Sequence, residues 1–469
     1  MVLRAIDLFA GAGGLSFGLQ LAGIKVIGAV EWDKAAVQVY RHNLGDHIVE
    51  ANITTFGPEQ METFIHSREG NGPIKPIDLV CGGPPCPGFS LIGRSKISNL
   101  IKTGKWHGSE WRHGFIDDPR NQLFLEFVKY VRHFTPRMFL MENVSGMFSS
   151  KTKNGGPMID LIMSEFKQLG YNVSVKLMSA SSYGVPQDRK RVIFLGTREE
   201  TQPLFPMELP WKLTLANAIE DLPRIDINTG LAKSPKKTPL SKIQSGHGKQ
   251  YLRWLRLLKT DGSMLKKTGK LSSHVTRKVN PRDQAVFPFL KSGEKEPRVL
   301  YKDIYPKMVK EIKQHLPEGY VMSKASDGHR VVHRSKKGRT WKWYDPSKFG
   351  DKMRRMRSDQ PSPTLVAHLA KDGYMFVHPW EDRTITVREA ARIQSFPDSF
   401  DFSAGGKVPF TQQFRQIGNA VAPQFALALG ASIIQQLGQV PRSDLSSIFL
   451  ELKPSQLRES DGKDPCRRL

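Results

Sequence analysis

Only three cysteines occur among 469 residues, Cys81, Cys86 and Cys466. Three widely separated thiols exclude a disulfide framework and lack the paired spacing of a zinc site. No metal is expected, and reduced cytoplasmic thiols are. An apolar run long enough to cross a bilayer is also missing. Arg4 and Asp7 interrupt the region where the apolar segment of a signal peptide would lie. No membrane partner is therefore expected. Internal repeats are lacking too. Acidic charge is scarce in one block: residues 231–360 hold 33 basic and 11 acidic side chains, an excess of 22 out of a net +25 for the chain. A solvated, highly charged insert would explain that excess in isolation. The block also contains Trp254, Trp341, Trp343, Tyr344 and Phe349, which disordered tails usually lack. The combination predicts a folded surface facing a polyanion.

At this length the natural prior is two domains. Short apolar runs at 3–9, 25–31, 78–81, 137–141, 173–177 and 191–195 read as strands. Helical spacing at 122–134 and 158–169 separates some of them. The alternation predicts an α/β fold with a doubly wound, mostly parallel sheet, which places ligands beyond the carboxyl ends of its strands. Recurrent prolines (Pro203, Pro206, Pro210, Pro223) and the Gly, Ser and Lys of 228–250 mark a boundary. Helical patterning returns at 386–394 and 422–437. The expected division is a catalytic domain over 1–215, completed by about 411–440, and a small domain over 216–410. An extension over 441–469 follows, its last part disordered.

Two strand ends carry chemistry. Phe9-Ala10-Gly11-Ala12-Gly13-Gly14 follows the first strand and precedes a helix at 15–21. Glycines let the backbone turn and approach a ligand, although a purely structural turn would look the same. The spacing differs from the GxGxxG of dinucleotide binders. Glu31 and Trp32 lie about twenty residues after the loop starts, where a carboxylate can accept from ribose hydroxyls and an indole can stack on adenine. A nucleoside without phosphates suits that pair, and S-adenosylmethionine is one. Gly82-Gly83-Pro84-Pro85-Cys86-Pro87 follows the 78–81 strand. Prolines on both sides fix the backbone around Cys86. Such a thiol, placed at a strand end, suits a nucleophile, whereas Cys81 inside the strand suits a small buried hydrophobe.

These segments, with Glu142-Asn143-Val144, Gln187-Asp188-Arg189-Lys190-Arg191 and Gln416-Ile417-Gly418-Asn419-Ala420-Val421, resemble in kind and order the motifs of DNA cytosine-5 methyltransferases of bacterial restriction-modification systems. The resemblance spans roughly the first 200 residues and 384–437. It implies a Rossmann-like S-adenosylmethionine-dependent enzyme that methylates carbon 5 of a flipped-out cytosine in a specific double-stranded DNA sequence. Cys86 would add to carbon 6, and a protonated Glu142 would donate to ring nitrogen 3. Arg189 would position the base and Glu142, with Arg191 in the same network. Phe9, Gly11, Gly13, Gly14, Leu15, Pro84, Leu123, Asn419 and Val421 would join Glu31 and Trp32 around the cofactor. Asn52-Ile53 stands where the family commonly has an acidic residue.

A stacked cytosine hides its carbon 6, so the base must leave the duplex. Residues 88–118, with Ser90, Arg94 and Lys96, would cover it. In the basic block, Arg330, Arg334, Lys336, Lys337, Arg339, Arg354 and Arg355 would meet DNA, mostly at phosphates. The expected protein is a cytoplasmic, nucleoid-associated monomer, and any cognate restriction endonuclease would act separately. Two other readings stand beside this one: a tRNA cytosine-5 methyltransferase, and a catalytically idle DNA-binding protein on the same scaffold. Intact Cys86, Glu142 and Arg189 argue against the idle scaffold, and the large basic block favours duplex DNA over tRNA.

Overall fold

The computed structural model describes residues 2–440, apart from 71–74, 86–122, 152–154, 227–228, 230, 232–245, 266–270, 278, 291–304, 306–307, 309, 325–329, 335–339, 344–352 and 372. Strands β1 (Arg4–Leu8), β2 (Lys25–Glu31), β3 (Ile48–Glu50), β4 (Leu79–Gly82), β5 (Met138–Val144), β6 (Asn172–Ser179) and β8 (Lys190–Thr197) build one sheet in the order β3-β2-β1-β4-β5-β8-β6. The short β7 (Gln187–Asp188) stands outside it. The first five strands run parallel, and β8 is antiparallel to both β5 and β6. The mostly parallel sheet expected from the sequence is therefore present.

Its inner strands β2, β1, β4, β5 and β8 are largely buried on both faces, which is why they read as nearly continuous apolar runs. Ile6, Val80, Phe139 and Phe194 point to one face, where they meet helices α3 (Pro58–Glu69), α4 (Leu123–Phe134) and α5 (Met158–Gln168). Phe139 stacks on Phe166 with ring centroids 3.9 Å apart, and Phe127 meets both rings edge-on. Ala5, Leu79, Leu140 and Ile193 point to the other face, covered by α1 (Gly14–Ala22) and residues from the far end of the chain. Helix α2 (Lys34–Leu44) begins where the Asp33 side chain accepts from the Ala36 amide.

The later elements are α6 (Leu215–Ile219), α7 (His247–Leu257), α8 (Pro281–Val286), β9 (Tyr320–Lys324), β10 (Arg330–Arg334), β11 (Thr340–Lys342), β12 (Ser362–Pro363), α9 (Val387–Ile393), α10 (Phe410–Asn419) and α11 (Pro423–Gln436). Strands β9, β10 and β11 form an antiparallel sheet beside an apolar cluster of Val286, Phe287, Met308, Ile312 and Met353. The stretch Phe410–Gln436 is long and apolar enough to cross a membrane by composition, but 89% of its apolar window is buried inside the fold. The chain also breaks at 420–422 into two helices.

Helix α11 lies directly on α1. A Cβ added to Gly18 would stand 2.4 Å from both Ala426 Cβ and the Pro423 carbonyl oxygen, and one on Gly430 would stand 2.8 Å from Ala22 Cβ. Glycine on both helices is what lets their backbones approach. The C-terminal segment thus packs back on the first domain, as a shared cofactor pocket requires.

Residues 381–398 are unusual because their core is charged. Arg392 donates to both carboxylate oxygens of Asp398 at 2.8 Å and to Asp221 at 2.5 Å. Arg383 reaches both oxygens of Glu389 at 2.8 and 2.9 Å and Glu381 at 2.9 Å. Arg383, Arg388 and Arg392 are at most 1% exposed. Burial favours the neutral guanidinium, yet the two carboxylates around Arg392 raise its proton affinity further above its already high ordinary value. Glu389 also caps α9 in a reciprocal pair with Thr386, so one carboxylate fixes a helix start and an arginine together.

Candidate active site

At the end of β1 the chain turns sharply. Phe9, Gly11 and Gly13 all have positive φ (58°, 55° and 90°). Phe9 is the unusual member, because left-handed backbone is costly for a residue with a Cβ and concentrates at functional sites. A Cβ on Gly13 would stand 2.4 Å from Leu44, whereas one on Gly11 would meet nothing within 4 Å. Gly11 therefore faces open space. Glu31 ties this loop to the end of β2: its carboxylate accepts from the Gly11 amide at 2.9 Å, from Trp32 at 2.9 Å and from Asp33 at 2.8 Å. Burial pushes the Glu31 carboxyl up, while these backbone donors hold it down. About four acceptor positions exist on a carboxylate, so one remains for a ligand. Trp32 beside it is 70% exposed, presenting an indole face just beyond the carboxyl end of β2.

Other expected cofactor residues border the same end of the sheet. Gly14 and Leu15 begin α1, Leu123 begins α4, and Ile53 is buried. Asn52 is exposed, and its amide oxygen accepts from the Thr54 amide at 3.1 Å, which commits that oxygen to its own turn. Gly14 has a role that sequence did not suggest. A Cβ there would stand 2.1 Å from the Val421 carbonyl oxygen, so only glycine allows the segment before α11 to close over the loop. Asn419 is exposed and Val421 half-buried at that closure. Open space at Gly11, a ribose-type acceptor and an exposed indole fit an adenosyl ligand. Among the described residues, no group of His, Cys, Asp or Glu could hold a metal ion.

Beneath the loop lies Asp7, fully buried and pushed up to about pKa 7 by that burial. One oxygen accepts from Ser16 at 2.6 Å, and the other has no hydrogen-bond partner. Ser16 in turn accepts from Tyr40, whose hydroxyl is also 2.9 Å from His47 Nε2. Cys81 is buried, donates to the Ile6 carbonyl, and has its thiol pushed well above its ordinary value by that burial. It is the small hydrophobe expected.

Two strands away is the second cluster. Strand β5 continues through Val144, beyond the expected end at 141, so Glu142 lies inside the strand opposite Ile193. Its Oε1 pairs with Arg191 Nε at 2.6 Å. Its Oε2 faces Gly83, where an added Cβ would come within 3.2 Å. Asn143 Nδ2 donates to the Pro84 carbonyl at 3.0 Å and anchors the loop that leads to Cys86. Cys86, Ser90, Arg94 and Lys96 lie outside the described residues.

Arg189 and Arg191, expected in one network with Glu142, have different direct partners. Arg191 is the direct partner of Glu142. Arg189 is buried and donates to the Leu365 carbonyl at 2.9 Å and the Gly418 carbonyl at 3.2 Å. Burial, with Arg191 beside it, lowers its proton affinity well below the usual value. It joins the junction of β7 and β8 to the C-terminal segment.

Among the expected DNA contacts, Arg355 is corrected. It is 7% exposed and donates to the carbonyls of Phe287, Leu290, His378 and Glu381 and to Asp382. With every arm directed inward it is a structural crosslink, and sequence counts it as surface charge only because composition carries no burial. Arg354 is half-buried next to it. Arg330 and Arg334 stand at the two ends of β10, and Lys336, Lys337 and Arg339 lie outside the described residues. Asn143 and Gln187 were quoted within motifs but given no role, and Asp33 and Gln394 were missed. Asp33 could have been found as a helix-capping residue before 34–44.

Residues 3–435 match the family model of the C-5 cytosine-specific DNA methylases. The chain is 31% identical over 446 residues to the Type II methyltransferase M.DdeI of Desulfomicrobium norvegicum, covering 92% of this chain and 88% of that one. It is 29% identical to M.AgeI of Thalassovita gelatinovora, covering 92% and 99%. A crystal structure described as a DNA modification methyltransferase from an E. coli prophage superposes with a TM-score of 0.60 at 24% identity, over 93% and 100% of the two chains. That likeness supports the fold.

Proposed function

The chain belongs to the C-5 cytosine-specific DNA methylase family, and from that premise we propose how its own residues methylate cytosine. The enzyme transfers a methyl group from S-adenosylmethionine to carbon 5 of cytosine in DNA. The observation that carries the residue assignment is the pairing of Glu142 with Arg191 beside Gly83, at the mouth of the loop leading to Cys86.

The cofactor-binding residues are Glu31 and Trp32, with the turn of Phe9, Gly11, Gly13, Gly14 and Leu15. Ile53, Pro84 and Leu123 border the pocket, and Asn419 and Val421 close it. Asn52 is a peripheral contact. When bound there, S-adenosylmethionine supplies an electrophilic methyl group on a sulfonium. Cys86 as thiolate adds to carbon 6 of the cytosine. The electron pair released at carbon 5 makes that carbon nucleophilic, and Glu142 offsets the developing charge by donating to ring nitrogen 3. Arg189 positions the base and Glu142, and Arg191, in the same network, holds Glu142 through Oε1, which leaves Oε2 to face the base. Once carbon 5 carries the methyl group, loss of its proton returns an electron pair to the ring, and the Cys86 thiolate departs.

The substrate is a specific double-stranded sequence from which the cytosine is flipped out. Ser90, Arg94 and Lys96 cover the base. Arg330, Arg334, Lys336, Lys337, Arg339 and Arg354 approach the backbone. On this reading residues 1–215 with about 411–440 form the catalytic domain, 216–410 the small domain and 441–469 an extension. The enzyme works as a cytoplasmic monomer on nucleoid DNA, and a cognate endonuclease acts separately. The test is Cys86→Ala: bisulfite sequencing of DNA from cells expressing it should show no methylation, while the purified variant still binds DNA. Methylation by Cys86→Ala would overturn the mechanism.

A further inference from the structure

Gln187 and Gln394 are both fully buried, on elements more than two hundred residues apart, and their side chains meet. Gln187 Nε2 donates to Gln394 Oε1 at 2.9 Å, and Gln187 Oε1 accepts from the Leu365 amide at 2.7 Å. Gln394 Nε2 donates to the carbonyls of Ile417 at 2.8 Å and Ala420 at 3.3 Å. Those carbonyls lie in the last turn and at the C-cap of α10, where a helix runs short of internal donors; Ile417 also accepts from the Ala420 amide at 3.3 Å. Immediately beyond is Val421, whose carbonyl presses on Gly14. On the other side, Gln187 is two residues from Arg189 and four from Arg191, the partner of Glu142.

From this geometry we infer that Gln394 is a positioning residue, which holds the segment closing the methyl-donor pocket in register with the strand facing the target base. The inference rests on the assignment above of Asn419 and Val421 to the cofactor pocket. Its physical basis is a single amide with two directed tasks. Its oxygen accepts from Gln187 on β7, which leads into the strand carrying Arg191, and its nitrogen fixes the end of α10. In a buried site each of these bonds has no water to replace it. A shift of the α10 end on donor binding therefore draws on Gln187 and β7, and a shift at the base site draws on the closing segment. Such a link lets the two ligands couple, and any coupling is reciprocal. Asp33, which accepts from Gln416 Nε2 at 3.1 Å, holds the opposite side of the same segment to the strand carrying Glu31. The segment thus has one anchor toward each substrate.

The experiment uses the full chain. S-adenosylmethionine binding is measured by calorimetry without DNA. Turnover is measured with tritiated methyl donor and bacterial genomic DNA lacking cytosine methylation. Gln394→Met keeps the volume and removes every hydrogen bond. It should weaken donor binding and raise the donor KM by about tenfold, within the usual range of coupling. Turnover at saturating donor should fall by less than about threefold, the pattern of lost ground-state positioning. Gln187→Met should give a similar change, and the double variant should be no worse than either single one. Gln394→Glu turns an oxygen toward two carbonyls, and its donor affinity should recover toward wild type as the pH falls and that oxygen gains a proton. A folded Gln394→Met with wild-type donor affinity and KM would overturn the inference, as would a pH-independent Gln394→Glu. Should Gln394→Met not fold, Gln187→Met and Gln394→Glu decide by the same criteria. Wild-type protein that does not bind S-adenosylmethionine would instead refute the functional reading itself.

Discussion

The parallel-sheet half and the region around α9 are both tightly buried, but they are held together differently. Behind β5 the contacts are ring on ring, with Phe127, Phe139 and Phe166 mutually packed. Around α9 three of the largest buried side chains are arginines, Arg383, Arg388 and Arg392, each engaged by carboxylates or carbonyls. The apolar core gains stability roughly in proportion to buried area and tolerates small changes of shape. The charged core gains little net energy over an apolar equivalent but cannot lose one member without leaving its partners unsatisfied. The difference teaches where precision is needed. The apolar half supports a pocket edge, while the charged half fixes 394–398, from which the C-terminal closure is hung.

The largest expected effect comes from breaking the charged side. Arg392→Met removes the cation shared by Asp221 and Asp398, leaving Arg256 at 3.3 Å from Asp221 and Arg388 at 3.9 Å from Asp398, and should cost about 3 kcal/mol in urea unfolding. A loss below about 1 kcal/mol would erase the distinction between the two cores. Next is the titration of Asp7. Its folded pKa of about 7 lies above its ordinary 3.8, so the fold prefers the protonated form. The associated stability is present below about pH 4 and is lost as the pH rises to about 7, amounting to a few kcal/mol at about 1.36 kcal/mol per pKa unit. His47, lowered to about 4 by burial, works in the opposite sense below its ordinary 6.5. Unfolding of Asp7→Asn compared with wild type between pH 4 and 8 isolates the aspartate. The variant should gain relative stability as the pH rises, and a constant difference would refute the assignment.

Gly14→Ala sharpens the comparison at the seam between the halves. The methyl meets the Val421 carbonyl, so the variant should lose about 1–3 kcal/mol of stability and bind S-adenosylmethionine more weakly in calorimetry. The smallest effect is expected in the apolar half. Ile162→Val, at a fully buried position, should cost only about 0.5–1.5 kcal/mol in the same urea assay.

Legibility in the sequence followed the same division. Strand β2 was readable to the residue because an apolar run ends at Glu31-Trp32-Asp33. Helix α9 was readable from the helical patterning at 386–394. The burial of Arg388 and Arg392 was not, because their partner Asp398 follows the helix and Asp221 lies some 170 residues earlier. Local spacing reports which way a residue faces only when the core is apolar. Arg355 was misread for that reason, as a cation in a basic block. In the site, motif order identified Glu142, but which arginine grips it depends on antiparallel register between β5 and β8. Gln394 carried no signal because its partners are backbone carbonyls and a distant glutamine.

The contact of Gly14 with Val421 sets a timetable for biosynthesis. The first helix emerges from the ribosome early, with Gly18 and Leu19 facing a neighbour that has not yet been translated. Roughly 400 further residues, at about 5–20 per second, delay the arrival of α11 by about 20–80 s. Until then the nascent chain exposes an apolar stripe and holds an uncovered nucleoside cleft. Methyl donor capture therefore belongs to the finished polypeptide, and a chaperone that shields the stripe on α1 would raise the yield of active enzyme.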